Sequence, residues 1–446
     1  MKKEIRYKYE TDSGQVISGM YEFEQISSTQ FSGWSLPDVT SSYISDSGVN
    51  TIWVNPEAVK LIRQKLRRRK KRKDFLDHYL YLLSTINHLS KVDRRYDNKQ
   101  FVPVHYKTMV TVISRDLFPK IVKDLEEWGV IEVEESYQAG KRSKGFRLLS
   151  PYDSGMKKRK IKDKLMNEKL TRRKKNLYKE LENLPDVYQY LSMTNTWISM
   201  DYESAYSYNL KNYKTCTSVY DSNFYSISAY QDGEYHFKPD KFANRAHSNL
   251  TNLKTDLRAF CHVDGETLGQ TDIKNSQPLF FYLHIKDLPQ ISLDEKRNYK
   301  EIVESGRFYE FFMDALNIPH SKRSEVKHSI LASIFYDSYR KNDRYMKVFE
   351  IQFPTIAAYI IEHKKRDHRK LAQILQKAES KFIIEKVVKR FVDLHGNDLE
   401  FISTIHDSIV VTEDKLSEAE RIMRECFWEE GLNPQLTTEK FSSYIN

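Results

Sequence analysis

Cysteine is scarce in this chain. Its 446 residues include three cysteines, which lie far apart and never in a C-x-x-C spacing. Neither a cysteine-based zinc site nor a disulfide framework is therefore indicated. No apolar run approaches the roughly 20 residues of a membrane span, and the opening Met-Lys-Lys-Glu-Ile is followed by polar residues instead of a signal-peptide core. We expect an intracellular, reduced protein without a membrane partner.

Positive charge and aromatic side chains, by contrast, are abundant. The formal net charge is +10 and aromatic residues make up 13% of the chain. This balance favours a polyanionic partner, with cations on its backbone and rings against its bases. A basic composition that serves only solubility is the alternative. The length allows two or three domains with a substantial core.

Two aspartates stand where the surrounding residues favour burial. Asp407 follows His406 between the β-prone runs 401–405 and 408–411, and Asp272 ends a polar strand ahead of an apolar, helix-like run. An ionised carboxylate in such a setting costs roughly several kcal/mol unless a cation or hydrogen-bond donors compensate it. Two isolated carboxylates at strand ends supply the oxygen ligands that a pair of Mg²⁺ ions requires. An ordinary hairpin turn that carries Asp407 is the alternative.

In chain order, four segments resemble the A-family DNA polymerases and their relatives, the single-subunit phage-type RNA polymerases. Asp272 matches the first metal-binding aspartate of motif A, and the His-Asp pair at 406–407 matches motif C. Residues 322–336 resemble motif B, and residues 245–260 resemble the family's Arg…Asn-Leu-x-Asn segment with a shorter gap after the Arg. Nothing upstream resembles an exonuclease carboxylate set, so proofreading is not expected.

The motif B segment has its own physical rationale. Arg323, Lys327, Leu331 and Phe335 recur at intervals of four, which predicts one stripe along a helix with its cations toward the N-terminus. Such a stripe offers two positive charges to a triphosphate and an apolar surface to a base. An amphipathic helix whose cations face solvent is the alternative, but the position between the two aspartate segments favours a site.

The resemblance implies a role for each matched residue. Asp272 and Asp407, with the main-chain carbonyl of Ile273, would hold two Mg²⁺ ions, for which Mn²⁺ is a substitute. Lys327 would also protonate the leaving pyrophosphate. The nucleotide would contact Arg323, Lys327, Leu331, Phe335 and Gln277. The primer-template would contact Arg245, Asn249, Asn252 and His406.

Three departures from the family leave the sugar preference open. Ser408 stands where the DNA enzymes have Glu, as in the RNA-synthesising branch. Gln277 occupies the position of the Glu that excludes a 2′-hydroxyl, and it is neutral but bulkier than the Gly of the RNA enzymes. Phe335 and Tyr336 replace the usual Tyr-Gly at the end of motif B. Deoxynucleotides, ribonucleotides or both therefore stay possible substrates.

Residues 106–151 have the order of a winged helix. A predicted helix from near Ser114 to Gly129 is followed by a short strand, a basic glycine-containing wing and a closing strand. Lys141, Arg142 and Lys144 in the wing would reach a DNA backbone. A wing used only for packing or protein contact is the alternative, and the acidic residues of the helix argue against base reading.

We therefore predict an α+β chain with an N-terminal winged-helix module and a right-hand polymerase core. Residues 1–55 are β-leaning and unassigned, 56–152 form the winged-helix domain with a basic run, 153–239 form a basic linker and thumb-like region, and 240–446 form palm and fingers.

The predicted function is template-directed nucleotidyl transfer by an A-family-type DNA polymerase of a phage or mobile element, with priming as a further hypothesis. A single-subunit DNA-dependent RNA polymerase and a non-catalytic replication initiator are the alternatives. The expected partners are a DNA template and primer, nucleoside triphosphates and a small accessory or single-strand-binding subunit. The expected location is the cytoplasm of a bacterium or phage-infected host.

Overall fold

Helices predominate in this chain, and short strands join them into a mixed α+β structure. The computed structural model describes residues 2–10, 16–24, 50–68, 75–92, 100–134, 143–395 and 398–445. The chain divides into two units, residues 1–37 and 38–446. In the first unit, β1 (Lys2–Glu10) pairs antiparallel with β2 (Val16–Glu24). Within residues 1–55, for which the sequence predicts β structure, the described elements are these two strands and the first strand of the second unit.

The second unit begins with a module of four helices and five strands among its described residues. Its elements are β3 (Thr51–Val54), α1 (Pro56–Arg68), α2 (Leu76–Val92), β4 (Val102–Pro103), α3 (Tyr106–Val112), α4 (Phe118–Glu127), β5 (Ile131–Val133), β6 (Gly145–Leu148) and β7 (Lys157–Lys160). One antiparallel sheet has the order β4-β6-β5, and β3 pairs with β7 in another. Because β3 and β7 lie outside 56–152, the module extends beyond both predicted boundaries.

The helix predicted from Ser114 is wrong at its N-terminal end. Helix α3 stops at Val112, Ser114 has a φ of +98°, and α4 starts only at Phe118. Pro119 explains the difference, because a proline lacks the N–H that a helix interior requires and is tolerated in the first turn. The predicted end holds, since Gly129 has a φ of +66° just beyond α4.

A helical region follows the module and packs against it. It comprises α5 (Lys164–Leu181), α6 (Asp186–Asn195), β8 (Ser199–Met200), α7 (Tyr202–Tyr213) and α8 (Thr217–Gln231). The side chain of Asp163 caps α5 by accepting a hydrogen bond from the main-chain N–H of Met166 at 2.8 Å. A second basic cluster of the sequence, residues 157–175, forms β7 and most of α5.

A six-stranded antiparallel sheet carries the motif A and motif C segments of the C-terminal half. Its strand order is β13-β14-β12-β11-β8, and β15 pairs with β12. In chain order, the next elements are β9 (Phe237–Pro239), β10 (Ala246–Ser248), α9 (Asn249–Asn252), β11 (Cys261–Val263) and the central strand of the sheet, β12 (Glu266–Ile273). Gly269 lets β15 approach closely, because a Cβ there would lie 2.7 Å from the main-chain oxygen of Glu439.

Helices pack over this sheet around a core of aromatic rings. The helices are α10 (Ser276–Ile285), α11 (Leu293–Glu304), α12 (Phe308–Ala315), α13 (Arg323–Leu331), α14 (Arg344–Gln352), α15 (Pro354–Ser380), α16 (Lys389–His395) and α17 (Leu416–Glu429). Strands β13 (Ser403–Ile405) and β14 (Ser408–Thr412) lie between α16 and α17 in the sequence, and β15 (Leu436–Lys440) follows α17. Short 3₁₀ or π segments are Thr255–Phe260, His320–Lys322, Ala332–Tyr336, Lys381–Val388, Glu413–Lys415 and Phe441–Ile445.

Helix α15 is kinked near its middle, within residues 363–369. Helix α15 continues through it, and only Asp367 departs from helical geometry, with φ −161° and ψ 104°. In the described part of the chain, no helix is both long enough and apolar enough to span a membrane.

Candidate active site

The two predicted metal-binding aspartates meet at one end of the central sheet. Ile405 pairs with Ser408, so Asp407 lies in the two-residue turn between β13 and β14. The other turn residue has a φ of +56°, which a tight hairpin turn requires. In the next ladder Thr271 pairs with Ile409, which brings this turn alongside Asp272 at the end of β12. Both aspartates are half-buried.

The electrostatics of Asp272 reflect this proximity. Burial and the neighbouring carboxylate of Asp407 raise the pKa of Asp272 to about 7, against a hydrogen bond from the N–H of Ile273 and the charge of Lys327. Two carboxylates that repel each other in a half-buried cleft form a donor set that suits a divalent cation bound through oxygen. Among the described residues, no three His, Cys, Asp or Glu side chains converge in such a way. The candidate ligands are thus these two carboxylates and the Ile273 carbonyl.

Both predicted triphosphate cations lie on α13 and meet one aromatic ring. The guanidinium of Arg323 lies 5.0 Å from the centre of the Tyr309 ring, and the Lys327 ammonium lies 5.6 Å from it. Arg323 also donates from Nε to Glu310 Oε1 at 2.5 Å and from Nη2 to Asn275 Oδ1 at 3.4 Å. Arg323 is therefore held in place, whereas Lys327 is exposed and within the field of the aspartates.

The predicted stripe does not continue to Phe335. After α13 the chain forms a π-turn over Ala332–Tyr336, whose extra residue per turn breaks the spacing of four. Phe335 is fully buried in the core, with its ring 5.2 Å from that of Phe281. The next residue, Tyr336, faces the site: burial raises its pKa to about 12, and the charges of Glu379, Arg245 and Asp407 act on it. Leu331 is also buried.

A buried carboxylate that the motifs do not include organises the neighbouring side of the site. Glu379 is 1% exposed and accepts hydrogen bonds from Arg245 and from the side-chain amide of Gln277. Ser276 Oγ approaches the same carboxylate at 3.5 Å. Burial first, and then the charge of Asp407, raise the pKa of Glu379 to about 7 although Arg245 opposes them.

The sequence contained a signal for Glu379. Leu371, Leu375, Glu379 and Ile383 follow one another at intervals of four, and all are buried. A carboxylate on an otherwise apolar helical stripe must have polar partners in the fold. Its partners are over 100 residues away in sequence, so the stripe alone does not identify them.

The predicted primer-template residues divide into two groups. Arg245 and His406 lie near Asp407, and the His406 ring is 6.2 Å from that of His247. Desolvation and the charge of Arg245 lower the pKa of His406, against the effect of Asp407.

Asn249 and Asn252 are placed differently. Asn249 is buried; its side chain accepts from the N–H of His236 at 2.5 Å and donates to the carbonyl of Glu234 at 3.0 Å. It therefore secures a loop of the fold. Asn252 is exposed at the end of α9.

Of the three residues predicted to contact DNA from a wing, the structure describes Lys144. Lys141 and Arg142 lie outside the described residues. Lys144 is exposed, and its main-chain carbonyl accepts a hydrogen bond from Val104 at 3.2 Å. This bond joins the residue before β6 to the segment between β4 and α3.

Of the comparisons with known proteins, one gives matches. No protein-family model and no curated protein match the chain. Solved structures do match, among them the POL domain of Pol1 from M. smegmatis in complex with DNA primer-template and dNTP. That match has 12% sequence identity and a TM-score of 0.41, and it covers 63% of this chain and 74% of the other.

Proposed function

We propose that this protein is a template-directed nucleic-acid polymerase of A-family type, with its active site at Asp272 and Asp407. The observation that carries the proposal is the convergence of these carboxylates with Lys327 of α13, from three segments that are far apart in sequence. Paired carboxylates alone also suit a two-metal hydrolase, whereas a neighbouring helix that carries Arg323 and places Lys327 in the field of Asp272 favours a triphosphate substrate. Nucleotidyl transfer needs both features.

The residues divide the chemistry between them. Bound Mg²⁺ would lower the pKa of a primer hydroxyl and neutralise charge on the phosphates. Asp272, Asp407 and the Ile273 carbonyl would hold it. Arg323, oriented by Glu310 and Asn275, would bind the triphosphate. Lys327 is exposed and would protonate the leaving pyrophosphate.

The nucleotide's sugar would lie against Gln277 and Tyr336. The amide of Gln277 is directed at Glu379, and its Oε1 has no hydrogen-bond partner among the described residues. That oxygen can accept a hydrogen bond from a sugar hydroxyl or from water. Deoxynucleotides are the proposed substrates, and a ribonucleotide-using enzyme is the second candidate because Ser408 and Gln277 lack the carboxylates of the DNA enzymes.

The N-terminal module would serve as the DNA-binding part. Three helices with a β4-β6-β5 sheet are consistent with a winged helix, for which Lys141, Arg142 and Lys144 are the proposed backbone contacts. Replication of a phage or mobile element, primer-free initiation and a small accessory subunit complete the proposal.

The decisive experiment is a primer-extension assay with matched carboxylate variants. Wild type, Asp272→Asn, Asp407→Asn and the control Asp414→Asn, whose side chain is exposed on the same half of the chain, are given single-stranded template with and without primer, and dNTPs or NTPs separately. We expect the two site variants to lose roughly 10³-fold or more, about 4 kcal/mol of transition-state stabilisation, and Asp414→Asn to match wild type. Chelation of Mg²⁺ should abolish extension.

Each arm of the assay has a separate meaning. The nucleotide that is incorporated identifies the branch, and product without primer shows priming. Extension that survives in Asp407→Asn would refute the proposed site. A folded wild type that makes no product in any condition would favour the non-catalytic DNA-binding alternative.

A further inference from the structure

A groove runs between the N-terminal module and the helical region, and none of the motif residues lines it. It consists of two adjoining clefts, of about 430 and 470 Å³, that share His105, Thr108 and Arg173 in their walls. The outer cleft lies between α3 and α5. The inner cleft continues between β3, α2 and α8, so the groove reaches from the basic helix to the contact between the module and the helical region.

The outer cleft is strongly basic. Four cations line it, against the single carboxylate of Glu180; they are Lys107, Lys169, Arg172 and Arg173. Lys169 donates to the main-chain carbonyl of Val112 at 3.2 Å and so ties α5 to the end of α3. The remaining wall is formed largely by hydroxyl and amide side chains. This lining suits successive phosphates of a nucleic-acid backbone.

The inner cleft presents aromatic rings. Trp53 and Tyr81 are half-buried and line it, with Glu234 at one side. Trp53 is held edge-on to Phe224 at 5.3 Å, and Arg173 hydrogen-bonds to Tyr81. Cations followed by partly exposed rings are the features of sites that bind single strands, where phosphates meet the charges and unpaired bases stack on the rings. A duplex keeps its bases paired and cannot use such rings.

Helix α4, the one that a winged helix would insert into a major groove, lacks this bias. Its exposed charged residues are Lys120, Lys123, Glu126 and Glu127, so their positive and negative charges cancel. Lys123 and Glu127 also lie 3.8 Å apart. Within the described residues of the module and of α5, the cations therefore favour the groove over α4 as the place where nucleic acid binds.

We infer that the groove between α3 and α5 binds single-stranded DNA, with phosphates on Lys107, Arg172 and Arg173 and a base against Trp53 or Tyr81. The inference deepens the proposed function, on which it rests for the choice of DNA as the strand. It assigns the groove, as distinct from the proposed wing contacts, to unpaired template.

The test is a binding measurement that needs no catalysis. Fluorescence anisotropy of labelled dT12 and of a 12-base-pair duplex is recorded with the full chain in EDTA, without nucleotides, over a range of salt concentrations. The variants are Arg172→Ala/Arg173→Ala and the matched control Lys120→Ala/Lys123→Ala, which removes the same charge from α4. Thermal unfolding verifies that each variant is folded.

We expect the groove variant to bind dT12 at least tenfold more weakly at low salt. Its plot of log affinity against log salt should flatten by about 1.4, the value for two lost phosphate contacts on a single strand. The control variant should match wild type, and duplex binding should change little in either. Equal effects of the two variants, or a loss of duplex binding confined to the α4 variant, would overturn the inference.

Failure here is distinguishable from failure of the proposed function. Wild type that extends a primer but does not bind dT12 through the groove refutes only the groove. Asp407→Asn that binds dT12 normally and makes no product supports both, because binding and chemistry then reside in different parts of the chain.

Discussion

Glu379 shows how one residue can determine the geometry of a site without taking part in its chemistry. Its carboxylate holds Arg245 and Gln277, which come from two different motif segments, and its burial leaves no water to replace them. Removal of one partner from a buried polar network leaves the others unsatisfied. Glu379 is thus a positioning residue, and its ionisation state is coupled to folding.

The first prediction concerns this coupling and compares Glu379→Gln with wild type. The folded pKa of Glu379, about 7, is raised above the ordinary value of 4.5. The contribution of this group to the free energy of unfolding is therefore greatest below pH 4.5. As the pH rises to 7, the contribution decreases by roughly 3 kcal/mol. Glu379→Gln should lack this loss. Urea unfolding at pH 5 and pH 8 measures the difference.

The control for this prediction is Glu362→Gln, an exposed carboxylate on the same helix, α15. It should keep the pH dependence of wild type, because Glu362 pairs with Arg366 at the surface and leaves the contacts of Glu379 with Arg245 and Gln277 intact. Parallel pH profiles for wild type and Glu379→Gln would contradict the assignment of a raised pKa to Glu379.

The site residues differ in how far sequence could predict them. The position of Asp407 in a turn is predictable from sequence, because the β-prone runs on both sides of the two-residue turn determine a hairpin locally. The placement of Arg323 and Lys327 on one face of a helix is predictable too, because it depends only on their spacing of four residues. Asn249 is a counterexample. Its segment resembles a nucleic-acid contact, but its side-chain amide hydrogen-bonds to the main chain of residues 234 and 236. Such tertiary partners leave no periodic trace.

At the scale of elements, the π-turn at the end of α13 determines which aromatic ring reaches the site. A spacing of four puts Phe335 on the stripe of Arg323, but the wide turn sends Phe335 into the core and Tyr336 toward Asp407. Lys364, buried on α15, stabilises the turn by donating to the main-chain carbonyl of Ser333. No residue-spacing rule in the sequence predicts a π-turn, because its support comes from another helix.

The second prediction separates the two rings. Phe335→Ala should reduce the free energy of unfolding by roughly 3–5 kcal/mol, because it empties a fully buried aromatic site. Tyr336→Phe should change stability by less than about 1 kcal/mol but reduce kcat/KM for the nucleotide by about tenfold, since it loses a hydroxyl next to the carboxylates. Urea unfolding and steady-state primer extension give the two readouts. A Tyr336→Phe enzyme with wild-type kinetics would remove Tyr336 from the site.

At the scale of the whole molecule, the module and the helical region are joined through α2 and α8. The amide of Asn87 donates to the hydroxyl of Tyr225, and Lys91 forms an ion pair with Asp221 at 2.5 Å. Composition located the basic clusters but did not show that the second one would return as β7 to pair with β3. Charge runs mark solvent-exposed surface, whereas strand pairing between residues about 100 apart depends on the folded module between them.

The Lys91–Asp221 pair gives the last prediction. The Lys91 side chain is 3% exposed and that of Asp221 is 33% exposed, so Asp221→Asn leaves a buried ammonium without its counter-charge. We expect that change to cost about 3 kcal/mol, the lower end of the range for broken buried pairs because Asp221 is partly solvated. Lys91→Met/Asp221→Asn should recover to within about 1 kcal/mol of wild type, since no unpaired charge is left. Urea unfolding of wild type, both single variants and the double variant completes the cycle. Single effects that simply add in the double variant would mean that this pair does not join the two regions.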